Sequence, residues 1–190
     1  QVAEPKQDGR AEQSGYPVHH VPQSLRDVPQ WVCWKTVLRD GRETKAPVNP
    51  STGEWAKTND PSTWSDFEKA LEQYQSSNRL SGIGFVFTAS DDFAGVDLDD
   101  CLDERGEFVW GRDIVAGLNT YTEISPSGRG VKLFLQGEKP VAAGCRKDGF
   151  GPLGIGKVEV YDQGRFFAVT GRLMDGFPEM VEDRQSDFQS

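Results

Sequence analysis

Apolar and polar positions alternate along several short stretches of this chain, and no apolar run is long. Trp31-Val32-Cys33-Trp34-Lys35-Thr36-Val37-Leu38 is rich in β-formers and predicts a strand, and Asp40-Gly41 after it predicts a tight hairpin turn. Asp60-Pro61 reads as a helix start, with Trp64, Phe67, Leu71 and Tyr74 on one face at spacings of three and four. The runs 82–87 and 93–99 predict two paired strands joined by an Asp-rich turn. A short helix is expected over about 110–118, then strands at 121–124, 131–135, 157–162 and 166–170. Many strands with few helices predict an α+β fold with mixed or antiparallel sheets, and no internal repeat is visible.

Polar, aperiodic sequence at 1–23 predicts a flexible leader, with His19-His20 in a solvated linker. The stretch 174–190 reads as a polar tail or linker toward a further C-terminal region. The folded body is then 24–173. The chain opens on Gln rather than Met, so a piece of a longer protein is expected.

Composition narrows the classes. The 190 residues suffice for one domain with a real core, and 11% aromatic content makes wholesale disorder unexpected despite 36% hydrophobic residues. No run approaches the ~20 apolar residues of a membrane span. The three cysteines, Cys33, Cys101 and Cys145, form no CxxC pair, which argues against a zinc ribbon or a disulfide scaffold. Free thiols without a secretory leader fit a cytoplasmic setting. The net charge is -9, but it is uneven. Residues 88–107 hold eight acids and one base, and 175–190 hold five acids and one base; the remainder is +2. An internal acidic cluster of this kind suits a cation site.

Three stretches carry candidate chemistry. In Val96-Asp97-Leu98-Asp99, strand alternation puts both carboxylates on one face, where a cation between them would relieve their repulsion. Hard oxygen donors select Mg²⁺ or Mn²⁺. The alternative is an acidic strand end facing water. An EF-hand fails because Leu102 stands where its loop needs Gly. In Ser125-Pro126-Ser127-Gly128-Arg129-Gly130-Val131-Lys132, the glycines let backbone N–H groups approach an anion, and Arg129 and Lys132 add charge. That suits a triphosphate, although the spacing is not that of a Walker loop, and a plain Gly-rich turn is the alternative. In Lys157-Val158-Glu159-Val160-Tyr161-Asp162, Glu159 and Tyr161 share a face, and Arg165 follows. A third carboxylate facing Asp97 and Asp99 would complete a two-cation site for phosphoryl or nucleotidyl transfer. Its alternative is an edge Glu paired with Lys157 or Arg165.

Taken in order, these segments resemble the archaeo-eukaryotic primase superfamily, and within it the primase-polymerase domains of phages, plasmids and mobile elements. The similar segments are Trp31–Trp34, Thr44–Pro47 with Thr52-Gly53, Trp64 with Phe67 and Ala70, Gly82–Phe87 and Gly95–Asp99. They continue through Tyr121–Gly128, Val158–Tyr161, Arg165–Phe167 and Thr170-Gly171. The resemblance implies a primase-polymerase catalytic core that adds dNTPs, or rNTPs, to a primer on a DNA template. It implies Asp97, Asp99 and Glu159 as metal-binding catalytic acids with two Mg²⁺ or Mn²⁺ ions. It implies nucleotide contacts from the loop residues Ser125, Ser127, Gly128, Arg129 and Gly130 and from Lys132. Arg165 and Lys45 are further cations expected near nucleotide and DNA phosphates, and Trp34, Trp55 or Tyr161 are candidates to stack on a base or sugar, with core packing as the alternative for these aromatics. At position 132 the superfamily usually carries histidine; the lysine here keeps a cation but not a neutral imidazole. A helicase domain commonly follows in the same full-length chain. A non-catalytic nucleic-acid-binding module of the same fold, a two-metal nuclease and a plain acidic interaction domain are the competing readings.

Overall fold

The computed structural model describes residues 16–140 and 144–188 of the 190. Two sheets face each other. The first has the order β2-β1-β3-β9, built from β1 (Trp31–Arg39), β2 (Arg42–Val48), β3 (Gly82–Phe87) and β9 (Arg165–Val169). The second has the order β10-β6-β4-β8-β7, with β5 also paired to β6. Its strands are β4 (Phe93–Asp99), β5 (Thr122–Ile124), β6 (Val131–Gln136), β7 (Arg146–Phe150), β8 (Gly156–Tyr161) and β10 (Glu182–Asp183). All pairings are antiparallel except β10 with β6. The helices are α1 (Gln23–Arg26), α2 (Phe67–Ser76), α3 (Arg112–Leu118) and α4 (Gln185–Phe188). The α+β expectation holds.

Between the sheets lies an aromatic core of Trp31, Phe67, Phe85, Phe87, Phe93, Phe134 and Phe167. The other face of the second sheet is aliphatic, with Ala94, Val96, Leu98, Val131, Leu133 and Leu135 packed under Val115 and Leu118 of α3. Alternation along β4 and β6 sends one set of side chains to each layer. Gly95 permits the close approach of the sheets: a Cβ there would meet Phe167 Cε2 at 2.4 Å and Phe87 Cζ at 2.5 Å.

Several expectations are corrected. Asp40 and Gly41 do make the β1–β2 turn, both with positive φ (51° and 74°), as a hairpin matched to strand twist requires. But β3 and β4 do not pair: β3 lies between β1 and β9, whereas β4 lies between β6 and β8. The helix does not run from Asp60. Asp60 caps a single 3-10 turn, Pro61–Thr63, through Ser62 N (3.1 Å). Ser65 then bridges to Trp31, and Asp66 caps α2 by accepting from Lys69 N at 2.7 Å. Trp64 is therefore off the helix.

Of the leader expected at 1–23, residues 1–15 lie outside the described residues. From Tyr16 onward the segment is packed: Val18 and Val21 are buried in the aromatic core, while His19 and His20 are exposed. Gly171 (φ 67°) makes room for it, since a Cβ there would meet Pro17 O at 2.3 Å. The stretch 174–188 is not a free tail either. It carries β10 and α4, and Met174, Phe177 and Phe188 pack against the aliphatic core. No described helix is long and apolar enough to cross a membrane.

Candidate active site

At one end of the sheet interface the aromatic packing gives way to a cleft of about 670 Å³. One wall is the second sheet, with Asp97, Asp99, Lys132, Glu159 and the turn hydroxyls Ser125 and Ser127. The other is the β1–β2 hairpin with Arg39, Glu43, Thr44 and Lys45, the 56–59 loop with Lys57, Thr58 and Asn59, and β9 with Arg165 to Ala168.

Strand register builds the floor. Glu123 on β5 opposes Lys132 on β6, Lys132 opposes Asp97 on β4, Asp97 opposes Glu159 on β8, and Glu159 opposes Arg146 on β7. Directly opposed residues share a sheet face, so five charged side chains form one ladder across five strands. Lys132 Nζ donates to Asp97 Oδ2 in a buried ion pair and sits 4.5 Å over the Phe167 ring. Asp97 Oδ1 is buried with no hydrogen-bond partner. Glu159 is held by Arg146 Nη1 and Arg165 Nη2, each at 3.5 Å, and by the Tyr161 hydroxyl at 3.4 Å.

The electrostatics follow from burial and like charge. The Asp99 carboxyl is pushed above its ordinary value by burial and then by the charge of Asp97, against the pull of Lys132 and Lys157. Burial and then Lys132 push the Lys45 ammonium down, while Asp97 and Asp99 draw it up. Glu123 is fully buried. Burial raises its carboxyl to about 7, against hydrogen bonds from Thr170 N and Gly171 N (2.9 Å each) and from the Tyr121 hydroxyl (2.8 Å). Its two oxygens thereby tie β5 to the end of β9.

The structure brings together Asp97, Asp99, Glu159, Lys132, Ser125, Ser127, Arg165 and Lys45. The other expected residues lie elsewhere. Gly128, Arg129 and Gly130 do not line the cleft. Arg129 Nε pairs with Asp100 at 2.8 Å, and the Gly128 N–H is taken by Ser125 O at 3.0 Å. Gly130 serves packing, because a Cβ there would meet Leu98 O at 2.5 Å. Tyr161 acts on Glu159 rather than lining the cleft. Trp34 is corrected outright: it is 4% exposed, its Nε1 donates to Ile83 O, and no ring face is open to a base. It carries Lys45 instead, whose Nζ lies 5.6 Å over the ring. Sequence reasoning missed Arg39, Lys57, Thr58, Asn59 and Arg146, which belong to no motif, and the burial of Glu123.

Mg²⁺ or Mn²⁺ was expected on three carboxylates. Among the described residues, no group of three or more His, Cys, Asp or Glu side chains is arranged to hold a metal ion. Asp97, Asp99 and Glu159 do share the face, but Asp97 and Glu159 already have cationic neighbours. The donor chemistry nevertheless suits a hard cation, and Asp97 Oδ1 is free to serve one.

The cleft of this two-sheet α+β chain gathers acids and bases on both walls, a charge pattern with which phosphate-bearing ligands are compatible. Comparison with known proteins is more particular. A protein named DNA Primase-polymerase, from Nitratiruptor phage NrS-1, is 37% identical over 166 residues, covering 84% of this chain. The similarity supports a primase-polymerase relationship across most of the chain. The chain spans only about a fifth (21%) of that relative's length. No family model matches the chain.

Proposed function

We propose that this chain is the nucleotide-joining core of a template-directed DNA primase-polymerase of the archaeo-eukaryotic primase superfamily, working in the cytoplasm as one module of a larger replication protein. One observation carries the reading. Asp97, Asp99 and Glu159 share the floor of a cleft whose walls bring Lys45, Lys57, Lys132 and Arg165 to the same space. Similarity to the phage primase-polymerase supports it.

In the reaction, the primer 3′-oxygen bonds to the α-phosphorus of the incoming dNTP or rNTP. The bond to the bridging oxygen breaks, pyrophosphate leaves, and the hydroxyl proton passes to water. Lys45, Lys57 and Arg165 meet the phosphate oxygens, and the Ser125 and Ser127 hydroxyls donate from the floor. Lys132 offsets the charge of Asp97 through their buried ion pair. Asp97, Asp99 and Glu159 are the residues that would hold Mg²⁺ or Mn²⁺, which when bound supplies charge neutralisation at the triphosphate and the attacking oxygen.

A second reading, a strand-binding module of the same fold without catalysis, has one observation in its favour: Asp97 already has a cation beside it in Lys132. A single experiment separates the readings. A 5′-labelled primer on a DNA template is incubated with Mg²⁺ or Mn²⁺ and dNTPs, and in parallel with rNTPs. The expected result is a lengthened label. A shortened label would mean a nuclease, and binding with no change of length would mean the recognition module.

A further inference from the structure

The turn that carries the cleft hydroxyls is held from behind by a residue outside the cleft. Ser125 and Ser127 line the cleft, with their Oγ atoms 3.0 Å apart. The turn closes through Gly128 N, which donates to Ser125 O at 3.0 Å. The same carbonyl oxygen accepts from Arg172 Nη2. A carbonyl oxygen has two lone pairs, and here both are used.

Arg172 reaches Ser125 because the chain beyond β9 runs alongside β5. Ile124 N donates to Arg172 O at 2.8 Å. Thr170 Oγ1 donates to Ile124 O at 2.7 Å and accepts from Arg172 N at 3.1 Å. The Glu123 carboxyl takes the N–H groups of Thr170 and Gly171. Residues 123, 124 and 125 are thus tied in succession to residues 170–172. On its other side the Arg172 guanidinium lies 5.6 Å from the centre of the Tyr16 ring, and Arg172 Nε is buried without a hydrogen-bond partner. Stability alone accounts poorly for a half-buried guanidinium with an unmatched N–H. Its side-chain hydrogen bond goes to the cleft turn.

From these contacts we propose that Arg172 is the positioning residue of the Ser125–Ser127 turn, an inference that rests on the proposed nucleotide-joining reading. Arg172 does not line the cleft and does not meet its occupant. Its bond to Ser125 O sets the turn, and the turn aims the two hydroxyls at the triphosphate of the incoming nucleotide.

The test compares the wild type with Arg172→Met and Arg172→Lys. Arg172→Met keeps the length of the aliphatic stem and leaves Ser125 O its bond from Gly128 N, so no buried acceptor is orphaned and the fold is preserved, which urea unfolding checks. Calorimetry measures dATP binding in the presence of Mg²⁺. Arg172→Met is expected to weaken it roughly ten-fold, the loss when hydrogen bonds to a charged group are misaligned. Arg172→Lys should recover most of that loss, because one donor is enough for one carbonyl. Removing both hydroxyls, Ser125→Ala with Ser127→Ala, should weaken binding about as much, and adding Arg172→Met to that pair should weaken it no further, because residue and turn act as one unit. In parallel, amide exchange at Gly128, followed by NMR, should quicken in Arg172→Met. Wild-type dATP affinity in Arg172→Met, or a loss that adds in full to that of the two serines, would overturn the positioning role even with primer extension intact. Quickened Gly128 exchange in Arg172→Met, with no dATP binding by any form of the protein, would uphold Arg172 as the brace of the turn and overturn the nucleotide reading instead.

Discussion

The second sheet presents two faces made from the same strands, and they differ in what they contribute. On the face under α3, Val96, Leu98, Val131 and Leu133 leave water entirely and are satisfied by packing alone. On the opposite face, one residue along, Asp97, Lys132, Glu123 and Glu159 are also buried, yet each is charged or titratable. Burying such groups is costly even when they are paired, and an ion pair in this setting is weak evidence of stabilisation. The aliphatic face therefore supplies the stability that the charged face consumes. The candidate site residues sit where the fold is least favourable, held there by neighbours that are favourable.

The largest contrast should come from one substitution on each face of β4 and β6. Asp97→Asn should reduce primer extension per folded molecule by roughly 10³-fold or more, and it should also lower the unfolding midpoint, because it leaves the buried Lys132 ammonium without its partner. Extension near the wild-type rate would place the chemistry elsewhere. Leu133→Ala should lower stability alone. It should cost about 2–5 kcal/mol in urea unfolding, with extension per folded molecule retained.

Glu123 sharpens the comparison through pH. Its carboxyl is raised from 4.5 to about 7 by burial. The folded protein keeps this proton over a range in which the unfolded chain has lost it. The stability it contributes is thus full below pH 4.5 and falls as pH rises to about 7, by roughly 3 kcal/mol. Glu123→Gln should flatten that part of the stability profile, measured by urea unfolding between pH 4 and 8. A profile of unchanged slope would mean the carboxyl titrates normally in the fold.

The smallest effect concerns the thiols. Burial raises Cys33 and Cys101 to about 12, whereas Cys145 is exposed. Native protein at pH 8 should take up one equivalent of iodoacetamide, at Cys145, as peptide mapping would show. Prompt labelling of Cys101 would mean that the aliphatic layer opens.

Much of the charged face was legible in the sequence because alternation is a local signal. The spacing of Asp97 and Asp99, and of Glu159 and Tyr161, fixed their faces before any partner strand was known. Partner choice was not legible. Nothing in the runs at 82–87 and 93–99 says that each joins a different sheet, since that depends on β9 and β8, more than sixty residues on. Lys57 reaches the cleft from a loop without periodicity, and Arg146 reaches Glu159 from a strand whose exposed polar residues lack the apolar alternation of the others. Trp34 was misassigned because an aromatic beside a lysine reads the same whether its ring is open or covered. Only the packing of Ile83 and Lys45 against it decides. The Gly128–Gly130 turn was a similar case: Gly130 is accounted for by the approach of Leu98 and Gly128 by its positive φ of 76°, without calling on an anion.

Gly95 makes the two halves of the molecule mechanically continuous. The ring that would have to yield to a methyl group at this position, Phe167, is the same ring that lies beneath the Lys132 ammonium. Displacing it would act like a lever with its fulcrum in the aromatic layer, shifting a charge in the cleft from a point that carries none. The spacing between the sheets is thus a setting of the site itself, and the hydrogen atom at Gly95 is its smallest adjustable part.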